Sequence, residues 1–180
     1  PNTQNDKYFE YNNDWANVNA ATTVFAPGIG YAIRAEGTLI PPGMPAVDDS
    51  LKFIGVPNNG TIDIPLTVRT SDGIGERLIG NPYPSAIDAD AFINANLLGT
   101  GTINQTITGT LYFWTHNHTL SGNDYLASDY ATYNLFGGVG VDSGTGNITD
   151  PNQYIASGQG FFIENDLAGN VTFDNSMRVI

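Results

Sequence analysis

Eight short runs of β-branched and aromatic residues, most of them bounded by Gly, Pro, Asn or Asp, set the limits on what this chain can fold into. They cover residues 22–25, 31–34, 51–54, 61–68, 77–79, 109–115, 160–163 and 170–173. Side chains branched at Cβ pack well on a pleated surface, while Gly and Pro end strands and make turns. In the run 61–68, Ile62, Ile64, Leu66 and Val68 alternate with Asp63 and Thr67. This period of two marks a half-buried strand. Pro65 lies inside that strand and has no N–H for a central ladder, so the run belongs at an edge or a bulge. One stretch has helical spacing, near 86–95, with Ser85 expected as N-cap and Asp88 answering the first amides. Many strands and one helix predict an all-β fold, an antiparallel, jelly-roll-like β-sandwich.

The run 109–115 carries Tyr112 and Trp114 on one face and Leu111 and Phe113 on the other. Both faces are apolar, which predicts a central strand buried on both sides. Long loops rich in Gly, Asn, Asp and Ser are expected at 40–50, 99–106, 117–131 and 137–153.

A duplicated pattern organises the chain. Ala26-Pro-Gly-Ile-Gly-Tyr-Ala-Ile33 matches Ala156-Ser-Gly-Gln-Gly-Phe-Phe-Ile163. Upstream, Tyr8-Phe9 matches Tyr112-Phe113, and downstream Leu51-Lys-Phe53 matches Val171-Thr-Phe173. Two related β units, about 1–76 and 77–180, are expected within one domain spanning 1–180. A strand follows each Gly-x-Gly, so the glycines make turns and do not cradle phosphate. The second unit is preceded by Arg77-Leu-Ile-Gly80, and the first has no such strand before it. The chain therefore reads as part of a longer one. Its first unit then has either a sheet position left unfilled and open to a strand from a neighbour, or another segment of the chain filling it.

Composition narrows the function. Charged residues make up only 13%, about half the usual share of ~25%. Asn, Thr, Gly and Ser carry the polarity, as on an extracellular surface. With no cysteine, disulfide scaffolds, Cys-based zinc sites and Cys nucleophiles are excluded. The net charge is −12, and the basic residues Lys7, Arg34, Lys52, Arg69, Arg77 and Arg178 are scattered. Nucleic-acid binding needs clustered cations, so it is excluded, as is attraction to an anionic membrane. No segment reaches the ~20 apolar residues that span a bilayer, so membrane insertion is not expected.

Five segments resemble a known family: 25–33, 53–60, Leu78-Ile-Gly-Asn-Pro-Tyr-Pro-Ser-Ala-Ile-Asp88, Ile155-Ala-Ser-Gly-Gln-Gly-Phe-Phe-Ile163 and 171–178. Together they look like a recurrent module of large secreted Bacteroidetes surface proteins of the Flavobacteria type, cargo of type IX secretion. The resemblance implies extracellular or cell-surface display and implies no activity. Asp49-Ser50-Leu51 resembles the O-glycosylation pattern of that bacterial group, which marks Ser50 for modification.

The chemistry-bearing residues are sparse. His116 and His118, with Asp124 near them, fall in a loop and read as surface residues. No Gly-x-Ser-x-Gly elbow is present. The four glutamates, Glu10, Glu36, Glu76 and Glu164, show no cleft motif. The chain is therefore read as non-catalytic and needing no cofactor. Asp142, Asn147 and Asp150 offer oxygen ligands for a structural calcium. Tyr125, Tyr130 and Tyr133, read as loop tyrosines, are the sugar-contact candidates. The preferred reading is a structural or adhesive extracellular module that assembles with copies of itself or with neighbouring modules. The second reading is a carbohydrate-binding module with a glycan partner.

Overall fold

The computed structural model describes residues 8–19, 21–33, 54–97, 99, 106–115, 127–141 and 150–179. In chain order the described strands are β1 (Tyr8–Tyr11), β2 (Trp15–Asn17), β3 (Ala32–Ile33), β4 (Ile62–Leu66), β5 (Gly75–Gly80), β6 (Ile87–Asp88), β7 (Ile107–Trp114), β8 (Tyr130–Asn134), β9 (Gly137–Val139), β10 (Tyr154–Ile155), β11 (Gly160–Asn165) and β12 (Gly169–Phe173). One helix, α1 (Ala89–Asn96), follows β6. The all-β, sandwich-like architecture expected from the strand runs holds.

The main sheet has five strands in the order β5-β11-β7-β8-β9, antiparallel throughout. Leu111, Phe113, Phe161 and Ile163 project from one face into the core. The opposing wall comes from Ile64, Leu66, Val171 and Phe173 of the β12–β4 pair, Ile87 and Ile155 of the β6–β10 pair, and Phe92 and Ile93 of α1. Aromatic rings fill the centre: Phe92 meets Phe161 edge-on at 5.5 Å and lies 4.8 Å from Phe173. Pro65 sits on β4, in a two-stranded sheet, so it interrupts no central ladder.

The helix starts later than the sequence indicates. Its N-cap is Asp88, not Ser85, and Asp88 Oδ1 accepts from the amides of Asp90 and Ala91. Ile87 and Asp88 are taken up by pairing with β10, which delays the helix until the carboxylate can cap it. Asn96, fully buried, closes the other end. Its amide donates to Phe92 O and Thr172 O and accepts from Thr172 N. One side chain thus imitates a neighbouring strand along β12.

Segments 26–29 and 156–159 make the same tight turn. Ile29 N donates to Ala26 O at 3.2 Å, and Gln159 N donates to Ala156 O at 3.1 Å. Gly28 and Gly158 hold the left-handed position, with φ of 82° and 72°. The two turns flank the end of β5 from opposite sides: Gly80 N donates to Gly28 O and Asn81 N to Gln159 O. A Cβ on Gly30 would lie 2.6 Å from Leu78 Cγ and 2.7 Å from Ile79 O, so only glycine lets this segment approach β5.

At the position expected to be unfilled, β3 ends the order β2-β1-β3 among the described residues. Residue 29 bridges to Ile79 of β5, and Ala32 and Ile33 pair with β1. Further along β5, Asn12 bridges to Arg77, and Asn13 N donates to Glu76 O. The chain thus lays its own N-terminal segments along the outer edge of β5.

The second correction concerns β7. It is central, but only Ile107, Gly109, Leu111 and Phe113 are buried. Tyr112 and Trp114 stand on the outer face, where Trp114 is 46% exposed. Apolar side chains on both faces fix the strand's central place and leave open whether a second layer covers the outer one.

Asn81 ties the turns together. Only 3% exposed, it donates through Nδ2 to Ser85 O, Ile155 O and Ala156 O, and its Oδ1 accepts from Tyr83 N. Replacing Asn81 by Ala strands these groups away from water and should cost about 2–4 kcal/mol. Urea unfolding measures this; a loss below about 1 kcal/mol would show that the amide is not a hub.

Candidate functional site

The outer face of the main sheet gathers what sequence alone did not assemble. Alternation puts Phe162 and Glu164 of β11 on the face opposite Phe161 and Ile163. The register then sets Glu164 directly across from Glu76, Phe162 from Tyr112, and Trp114 from Tyr130. The β1–β2 hairpin brings Tyr11 and Trp15 over the same face. Their rings lie 5.0 Å apart, and they meet Phe162 at 5.5 and 6.1 Å, both edge-on. Tyr130 meets Phe162 from another side at 5.7 Å.

Apart from Trp114, these side chains line a groove of about 270 Å³, with Glu76 and Glu164 in its wall. That volume lies just below the ~300–1,000 Å³ of drug-sized pockets, so it suits one ring or one small group. Trp15, at its rim, is 47% exposed. Both tryptophans of the chain thus present about half their surface on this side of the sheet. A half-exposed cluster of large aromatics is informative in a way that single exposed apolar residues are not.

Asn13 is the main anchor of the hairpin, beside the bridge from Asn12 to Arg77. Asn13 adopts the left-handed conformation (φ 63°), which Asn tolerates better than most residues. Its N–H donates to Glu76 O, its Oδ1 accepts from Glu76 N, and its Nδ2 donates to Thr67 Oγ1. The side chain completes a strand-like pairing with β5, and this fixes Tyr11 and Trp15 above the sheet.

Two carboxylates directly opposite each other in an antiparallel pair repel. Each is partly answered. Glu76 Oε2 accepts from Tyr11 OH at 2.7 Å and from Arg69 at 2.9 Å. Glu164 Oε2 accepts from Tyr112 OH at 3.0 Å. Arg69 also reaches Asp72, so one guanidinium serves two carboxylates. Among the described residues no cation lies against Glu164, and the Oε1 atoms of Glu76 and Glu164 take no hydrogen bond.

The tyrosine hydroxyls that hold these carboxylates are poor acids. Burial first, then the hydrogen bond to Glu76, pushes Tyr11 up to about 12. Tyr112 is pushed up to about 12 by burial and then by Glu164. They stay protonated donors wherever the protein is handled.

The sequence candidates fare unequally. Tyr130, on β8 and not in a loop, lines the groove. Tyr133 is also on β8 but faces the core, where it is 6% exposed and donates to Asp90 Oδ1 at 2.9 Å. Its hydroxyl anchors the sheet to the helix, and its ring is closed to a ligand. Asp150 is exposed and accepts from Gly140 N at 2.8 Å. Ser50, Tyr125, Asp142 and Asn147 lie outside the described residues, as do His116, His118 and Asp124. Among the described residues no group of three His, Cys, Asp or Glu converges to hold a metal ion.

Sequence reasoning missed Tyr11, Trp15, Glu76, Phe162 and Glu164. The usable signal was the alternation Phe161-Phe162-Ile163-Glu164, which already puts an aromatic and a carboxylate on one face. The register that brings Glu76 opposite had no signal.

Tyr11, Tyr112 and Tyr133 are all raised from 10.0 to about 12 in the folded chain. A raised folded-state value means that the unfolded chain ionises first as pH rises. Stability is therefore full below 10, and falls between 10 and about 12. The urea midpoint followed across that window should drop, and Tyr133→Phe should make the drop shallower. A midpoint that stays flat would contradict the assignment.

No curated protein and no solved structure matches the chain. A family model described as Domain of unknown function (DUF8693) matches residues 1–180. With its full length covered, the chain belongs to that family.

Proposed function

We propose that the chain is a non-catalytic adhesive module of an extracellular protein, and that it holds a glycan in the groove on the outer face of its main sheet. The observation that carries this reading is the juxtaposition of Trp15, Tyr11, Tyr112 and Tyr130 with the Glu76 and Glu164 carboxylates around one small groove. Sugars present apolar C–H faces and a ring of hydroxyls. Aromatic rings take the first, and carboxylate oxygens accept from the second. The low share of charged residues and the resemblance to secreted surface modules support an extracellular setting.

The matching turns at 26–29 and 156–159 support descent from a duplicated unit. Assembly through a donated strand has a smaller footing: β3, which ends its sheet among the described residues, is two residues long. Glycan capture takes precedence over strand exchange because the groove gathers several aromatic rings and two carboxylates.

The protein should be screened against a glycan array, and hits titrated by calorimetry and tryptophan fluorescence. Both tryptophans flank the groove side of the sheet, so binding should shift the emission. Trp15→Ala should weaken binding at least ~10-fold, the loss expected on removing a central aromatic anchor. Full affinity in that variant, or no glycan bound by the parent, would overturn the reading.

A further inference from the structure

Resting on the glycan-binding reading, we infer that the groove selects an amino sugar with a free, protonated amine, seated between Glu164 and Glu76. Three features lead there. The two glutamates face each other across β11 and β5, an arrangement that destabilises the empty sheet unless a positive charge comes between them. Their charges are not balanced from within, because Arg69 is shared with Asp72 and among the described residues no cation lies against Glu164. Only the Oε2 atoms are engaged by Tyr11, Tyr112 and Arg69, which leaves an acceptor oxygen on each glutamate for an N–H donor.

The walls make the same choice. An ammonium beside aromatic faces gains from the ring quadrupole, most of all with tryptophan. A groove of about 270 Å³ accommodates one ring with its amine and leaves the next unit of the chain outside. Acetylating the nitrogen removes the charge, two of its three N–H donors and the fit together. The chain's net charge of −12 also draws a polycationic glycan toward the surface.

The test compares a β-linked glucosamine oligomer with its fully N-acetylated twin of the same length, by calorimetry on the intact 180-residue chain. The free-amine oligomer should bind at least ~10-fold more tightly, as a charge-assisted hydrogen bond is worth that much. Glu164→Gln should remove this advantage, and Glu76→Gln should reduce it. Gln keeps the bond from Tyr112 and relieves the repulsion, so Glu164→Gln should unfold at the same urea concentration as the parent or higher. Asp166→Asn, which deletes the same charge in the exposed β11–β12 turn, should change nothing.

Equal affinity for the two oligomers overturns the amine inference and leaves a glycan site standing. If neither oligomer nor any array glycan binds, both readings fall. An equal loss in Asp166→Asn and Glu164→Gln would reduce the effect to bulk charge attraction and overturn the site. Oligolysine binding as tightly as the glucosamine oligomer, with the same dependence on Glu164, would overturn the sugar in favour of a basic peptide.

Discussion

The structure depends on one buried amide. Asn81 sits where β5 ends, and its backbone and side chain join that end to the turns that precede helix α1 and strand β11. Every donor and acceptor it carries is used, in a place where an unmade bond costs most. With this corner fixed, β5 and β11 pair over six consecutive positions, from Gly160 opposite Gly80 to Asn165 opposite Gly75. Gly30 keeps the corner narrow, since a Cβ there would lie 2.7 Å from the Ile79 carbonyl oxygen.

The pairing of β5 with β11 has two consequences, one for each face of the sheet. On the inner face it puts Phe161 and Ile163 among Phe92, Phe173 and Leu111, which is ordinary core formation. On the outer face the same strand presents Phe162 and Glu164, and β5 presents Glu76. A purely structural sheet would cover such a face or make it uniformly polar. Here a short hairpin, held by Asn13, covers part of it with two more aromatics and leaves a groove. Stability and binding thus lie on opposite sides of one strand pair, so Glu164 can be altered without touching the core.

Much of the fold was legible in the sequence, and the reasons are local. Strand runs and turn residues are written in neighbouring side chains, so the all-β class, the edge position of Pro65 and the central place of β7 could be read. The two Gly-containing turns were legible because only glycine takes their third position cheaply. The helix start was misread because β6 claims residues 87–88 for partners far along the chain, at Tyr154–Ile155, a competition that local capping rules do not see. The groove was illegible for the same reason on a larger scale. Tyr11, Glu76, Tyr112 and Glu164 lie far apart in sequence, and only strand register makes them neighbours. Tyr112 and Trp114 looked like core residues because apolar character shows that a face is covered or used, not which of the two.

The most direct measurement is a two-dimensional nitrogen–proton NMR titration of the intact chain with glucosamine oligomer, following the two tryptophan indole N–H signals. The account predicts that the Trp15 indole moves most and saturates together with backbone amides of Glu76, Phe162 and Glu164, while amides of α1 stay fixed. Saturable shifts that avoid this face of the sheet and cluster elsewhere would contradict it.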